Sequence, residues 1–107
     1  MSVIMVQQVA ADPNGLEQFA SANKESVRSI LEAAKNHGLI AHRFYGSEDG
    51  SKVLILDEWP DQESFESFAE EQAPQIEPML EAARATETSE PTFWRELTTH
   101  DAFGWGA

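Results

Sequence analysis

Three side chains near the middle of this 107-residue chain, His42, Asp57 and Trp59, are the ones whose types and spacing best suit chemistry. They belong to two β-prone runs, residues 39–47 (LIAHRFYGS) and 52–59 (KVLILDEW), joined by Glu48-Asp49-Gly50-Ser51. Asp-Gly is a favoured pair for a two-residue type I′ hairpin turn. With Asp49 and Gly50 as the loop, His42 faces Asp57, Phe44 faces Ile55 and Ile40 faces Trp59, all on one side of the ladder. A carboxylate held against an imidazole fixes its tautomer and makes it a better general base, suited to a phenolic or carbon-bound proton. The same opposition is also an ordinary structural cross-strand pair. Sequence alone leaves both readings open.

Other chemistries are excluded more firmly. The chain has no Cys, hence no disulfide, no Cys-ligated metal and no thiol nucleophile. It has no Gly-rich phosphate loop and no nucleophile elbow. His37 falls in the last turn of a helical run, where interaction with the helix dipole accounts for it. A metal site would need His42, His100 and a carboxylate to converge, and no local spacing supports that, so no metal is expected. Glu63, Glu66, Glu70 and Glu71 read as one solvated helix face. With 7 Lys and Arg against 19 Asp and Glu, the formal net charge is −12. That balance argues against nucleic acid and anionic membranes as partners. No apolar run approaches the ~20 residues of a membrane span, and no basic region precedes the short apolar N-terminal stretch. The expectation is a cytoplasmic globule, with 41% apolar residues to build its core.

The elements that must position these residues follow from periodicity. Residues 2–10 (SVIMVQQVA) read as a strand, stopped by Asp12-Pro13-Asn14-Gly15. Leu16, Phe19, Ala20, Val27, Ile30, Leu31 and Ala34 have helical spacing, with a break at Asn23 and a left-handed stop at Gly38. After the hairpin, Asp61 caps a helix over 62–72, and Pro74 opens a further helical segment with Ile76, Met79, Leu80 and Ala83 inward. Residues 91–98 (PTFWRELT) read as a last strand. The order is β-α-β-β-α(α)-β, an α+β class with an antiparallel sheet in the ferredoxin-like split βαβ arrangement. It predicts a single domain over 1–99 and a tail, 100–107, that holds Phe103 and Trp105. Both faces of the hairpin are substantially apolar. Helices cover one, and sheet-to-sheet pairing with a second copy is the economical cover for the other.

Within this frame, residues 53–68 (VLILDEWPDQESFESF) form a strand ending in Trp, an acidic cap, and a helix with spaced aromatics. With Gly38 leading into the second strand, the chain resembles the antibiotic-biosynthesis-monooxygenase-like family of dimeric α+β barrels. The resemblance implies a homodimer whose sheets face each other, and in each subunit a small-molecule pocket between the sheet and its own helices. It places Trp59 on the pocket side, and alternation then brings Ile55 and Asp57 with it, the hairpin register adding His42. Gln7 alternates with Met5 and Val9 and is expected to look into the same space. Phe65, Phe68, Met79 and Leu80 are lining candidates that would serve equally as plain core.

Quinone-forming members of the family need no metal, flavin or haem. They carry an Asn four residues before the matching Trp and a Tyr six residues after it, where this chain has Ile55 and Phe65. The haem-degrading branch wants an Asn, a Trp and a His where this chain has Gln7, Phe68 and Pro78. The expectation is therefore a cofactor-independent monooxygenase-like enzyme acting on a small aromatic or polyketide-type compound. In it Trp59 stacks on the substrate, His42 with Asp57 acts as base, and Gln7 orients. The alternatives are a non-catalytic small-molecule binding protein of the same fold, or an oxygen-independent isomerase. The aromatic tail is expected to dock on the partner chain or over the pocket mouth.

Overall fold

In a computed structural model, which describes residues 1–106, the elements run β1 (Val3–Ala10), α1 (Pro13–Ala22), α2 (Lys24–Asn36), β2 (Ala41–Gly46), β3 (Lys52–Trp59), α3 (Gln62–Ala82), β4 (Glu87–Thr88) and β5 (Thr92–Trp94). The sheet is antiparallel throughout, ordered β2-β3-β1-β4, with β5 also on β1. β1 and β3 are central, paired from Val3 with Trp59 to Ala10 with Lys52. The helices form one layer on one face of the sheet. This is the ferredoxin-like α+β arrangement that the element order predicts.

Several local signals act as read. Asn23 separates α1 from α2, and its side-chain amide donates to the Phe19 carbonyl oxygen at 3.0 Å, which closes the first helix. Gly38 ends α2 with a φ of +99°, and a Cβ there would meet the Pro60 ring at 2.9 Å. Asp61 caps α3 by accepting from the Ser64 N–H at 2.8 Å. That bond and one from the Ser64 hydroxyl hold the exposed Asp61 carboxyl below its usual range.

Four expectations need correction. The first helix begins at Pro13, within the tetrapeptide read as a strand stop. Asp12 is its N-cap, accepting from the Asn14 N–H at 3.0 Å, and proline suits the first helical position, where an N–H has no partner. Gly15 lies inside the helix because a Cβ there would stand 2.6 Å from the Ala82 carbonyl oxygen at the end of α3.

The hairpin keeps the expected register, His42 opposite Asp57 and Phe44 opposite Ile55, but through a different turn. Gly50 N–H donates to the Ser47 carbonyl and Ser47 N–H to that of Lys52, giving a four-residue loop with Gly50 at a φ of +75°. Asp49 organises it, accepting from the Ser47 and Ser51 hydroxyls and from the Ser51 N–H. Those bonds, that of the Ser51 hydroxyl foremost, lower the Asp49 carboxyl from 3.8 to about 2. Two-residue and four-residue loops centred on the same bond leave the strand pairing unchanged.

The two helical segments after the hairpin are one helix, α3, running through Pro74 and Pro78. Both prolines are on the exposed side, where water can satisfy the carbonyls that lose their N–H partners. The last strand is shorter than the predicted 91–98, only Thr92–Trp94 pairing with β1, and a further two-residue strand, Glu87–Thr88, which the sequence did not predict, pairs with β1 before it. Ser89 sits at the break, its N–H donating to the Gln8 carbonyl and its hydroxyl accepting from the Gln8 N–H. Beyond it Phe103 and Trp105 are 93% and 97% exposed and touch neither the pocket mouth nor the core. Ala107, the last residue of the predicted tail, lies outside the described residues. Among the described residues no helix is long and apolar enough to cross a membrane.

Candidate active site

Strand alternation sorts the sheet into two faces. Met5, Gln7, Val9, His42, Phe44, Val53, Ile55, Asp57 and Trp59 point toward the helices, and with α1, α2 and α3 they enclose a cavity of about 500 Å³. All nine residues singled out from sequence line it: His42, Asp57, Trp59, Gln7, Ile55, Phe65, Phe68, Met79 and Leu80. They contribute very differently.

The polar centre is Asp57, buried on β3 at 5% exposure. Its Oδ1 lies 2.6 Å from His42 Nδ1 across the ladder, and its Oδ2 accepts from the Trp59 indole N–H at 3.1 Å. Trp59 is two residues farther along the same strand and hence on the same face, which makes that bond possible. Both carboxylate oxygens are therefore engaged, and no buried polar side-chain atom among the described residues lacks a partner. With Asp57 accepting, Nδ1 carries a hydrogen, which in the neutral imidazole leaves the lone pair on Nε2. The His42 side chain retains 29% of its exposure and lines the cavity, so a ligand there can reach the imidazole. The Phe44 ring stands edge-on to the imidazole, with centroids 4.6 Å apart, and limits its swing.

Trp59 plays a part the sequence did not suggest. It is 0% exposed, with Phe65 edge-on at 5.8 Å and Phe68 tilted at 5.4 Å between centroids. A ring so enclosed does not offer a stacking surface. Its contribution is the indole N–H that holds Asp57 in place. Phe65, Phe68 and Met79 are likewise at least nine-tenths buried and form the hard back of the cavity, whereas Ile55 is partly open to it. Gln7 is partly exposed too, but its amide donates to the Ser89 carbonyl at 3.1 Å, tying β1 to the β4 edge.

Val27, Ile30 and Leu31 on α2, which the sequence marks only by their helical spacing, also line the cavity. Glu77 on α3 also lines it and was missed. The available signal was its spacing, four residues after Ala73 and three before Leu80, on the flank of the apolar stripe. Among the described residues no three His, Asp or Glu side chains are grouped as a metal would require.

His37 Nε2 lies 3.1 Å from Glu71 Oε2, joining the end of α2 to α3 beside the cavity roof. This contact, together with the Gln72 amide, keeps the Glu71 carboxyl below its usual range.

No family model matches the chain, and no curated protein matches it. Solved structures do. A dimeric ferredoxin-like protein from an uncultured marine organism superposes with a TM-score of 0.63 at 12% identity, over 92% of this chain and 90% of the other. An antibiotic biosynthesis monooxygenase aligns with a TM-score of 0.62 at 11% identity, over 90% and 99%. SnoaB from Streptomyces nogalater, a cofactor-independent oxygenase, aligns with a TM-score of 0.58 at 16% identity, over 94% and 98%. At these identities the likeness concerns the backbone alone. The chain has the ferredoxin-like α+β fold found in the antibiotic biosynthesis monooxygenases.

Proposed function

We propose that the protein is a cofactor-independent monooxygenase-like enzyme that deprotonates a small aromatic or polyketide-type compound and lets the resulting anion react with O₂. The observation that carries this reading is the hydrogen-bonded chain from Trp59 through Asp57 to His42, set in an otherwise largely apolar enclosure. A buried carboxylate needs a reason, and orienting a base is a good one. In the proposed step His42 Nε2 takes a proton from an activated ring CH₂, and Asp57 stabilises the imidazolium. The carbanion, not the protein, reduces O₂. One oxygen atom becomes the new ring carbonyl, and the other leaves as water with the two hydrogens of the CH₂. Exclusion of water by the apolar walls favours this course over simple reprotonation.

The working unit is read as a homodimer. The face of the sheet away from the helices carries Ile4, Val6, Leu54 and Leu56 with exposed Tyr45 and Trp94, beside Gln8, Arg43 and Glu58, and no helix among the described residues covers it. The dimeric description of a structural neighbour supports the same reading.

A second reading is favoured by Ile55 and Phe65, which leave the wall beside His42 without the polar groups that quinone-forming relatives carry. It is an oxygen-independent isomerase or a binding protein, since proton transfer from carbon to carbon needs only the base. Oxygen uptake by metal-free protein with a panel of anthrones, hydroquinones and naphthols separates these. Uptake by wild type that is lost in His42→Ala is the expected result. Uptake unchanged in His42→Ala would remove His42 as the base. Ligand binding without uptake would move the assignment to the second reading.

A further inference from the structure

The cavity contains an uneven set of charges. Its lining includes two carboxylates, Asp57 and Glu77, one imidazole, His42, and none of the seven Lys and Arg residues of the chain. Asp57 has both oxygens committed, to His42 and to Trp59. Glu77 has no hydrogen-bond or ion-pair partner among the described residues. It is exposed as well as lining, which puts it at the mouth, and the neighbouring lining positions on α3, Ala73, Ile76 and Leu80, are apolar. An uncommitted carboxylate at the rim of an apolar cavity sets a preference for what crosses that rim. Low-dielectric walls strengthen its field relative to open solvent, and the net charge of −12 adds to it.

We propose that Glu77 is a specificity-determining residue that makes the site select apolar, ring-bearing compounds with a protonated amine at the end facing the mouth, and discriminate against carboxylates and phosphate esters. This rests on the reading of the cavity as a small-molecule site. It assigns the two ends of the ligand distinct tasks. The apolar ring system lies among Ile30, Leu31, Phe44 and Ile55 and presents its acidic hydrogen to His42 Nε2. The ammonium remains near Glu77, half in water, where desolvation costs little. An anionic substituent finds no cation in the lining and meets Glu77 at the entrance.

The test uses three matched naphthols, the parent compound and its aminomethyl and carboxymethyl derivatives, with binding measured by calorimetry at low and at high ionic strength. Wild type should bind the amine roughly three- to tenfold more tightly than the parent and the carboxylate more weakly than either, the spread narrowing at high salt. Glu77→Gln should bring the affinities for the amine and the parent together, and Glu77→Lys should favour the carboxylate. Both substitutions fall at an exposed position, so folding is not at stake. An amine preference that survives in Glu77→Gln, or equal affinity for all three compounds in wild type, would overturn the assignment of Glu77 and leave the cavity reading standing. Failure of all three naphthols to bind overturns both.

Discussion

The two faces of the sheet are made from the same strands by alternate residues, and they have opposite characters. The inner face places His42, Asp57 and Trp59 under the helices, with every buried polar atom partnered. The outer face, offset by one residue, is Ile4, Val6, Leu54 and Leu56 with Tyr45 and Trp94 toward solvent. On the first, specificity comes from hydrogen-bond geometry. On the second it comes largely from shape and apolar area, with Gln8, Arg43 and Glu58 as the polar groups that share that face. The comparison teaches that β1 and β3 each serve two cores at once. One is closed by the helices of the chain, and the other, on the reading above, by a second copy.

The largest expected effect lies on the inner face. Asp57→Asn keeps an acceptor for the Trp59 indole but offers His42 Nδ1 an N–H, which forces the imidazole hydrogen onto Nε2 and removes the base. The expected loss in kcat/KM is roughly 10²- to 10⁴-fold with the fold retained, measured by oxygen uptake alongside circular dichroism. Next comes the outer face. Leu56→Glu should convert the dimer to a monomer in light scattering and leave ligand binding in the cavity intact, since Leu56 points away from it. Burying one Leu contributes about 1.5–3 kcal/mol per copy, so a charge in its place is decisive for assembly. A monomer at every concentration in wild type would break the comparison at its root.

The two faces were legible to different depths. Period-two alternation and the Asp-Gly pair were sufficient to oppose His42 to Asp57, because the register survives a change of turn type. The depth of Trp59 was not legible. Whether a residue on the inner face is open or 0% exposed depends on which side chains of α3 close over it, here Phe65 and Phe68, and alternation carries no information about that. The split assigned to α3 came from the rule against prolines within helices. The rule loses force at Pro74 and Pro78, where the free carbonyls face water. The final strand was over-read because 91–98 is rich in β-formers. Propensity does not supply a partner, and only Thr92–Trp94 and Glu87–Thr88 find β1. Glu77 was missed for a related reason, since a charge on a helix reads as solvated until the cavity beside it is known.

Smaller effects sharpen the contrast. Trp59→Phe keeps one aromatic ring against Phe65 and Phe68 but leaves Asp57 Oδ2 buried without its donor, which costs about 1–3 kcal/mol in denaturant unfolding, and the void left by the lost part of the indole adds to it. The equivalent conservative change on the outer face, Leu54→Met, should cost less than ~1.5 kcal/mol.

The smallest effect belongs to the hairpin tip that both faces share. Because the folded-state Asp49 carboxyl is lowered to about 2, its contribution is complete above its ordinary value of 3.8 and disappears as pH falls through about 2. Wild type should therefore exceed Asp49→Ala in Tm near neutral pH, and the two melting curves should converge toward the acid limit. A difference that persisted there would mean that Asp49 acts other than through its charge.

The three residues of the hydrogen-bonded chain all lie on one hairpin, β2 and β3 with their loop, and the His42–Asp57 contact bridges 15 positions of sequence. The helical roof is recruited from elsewhere, from Leu16 to Ala34 and from Phe65 to Ala83. Such a division separates the inheritance of a reaction from the inheritance of a substrate. On the proposed reading, drift or insertion in the roof away from Phe65 and Phe68, which enclose Trp59, can redraw the cavity while the hairpin keeps its hydrogen-bonded chain.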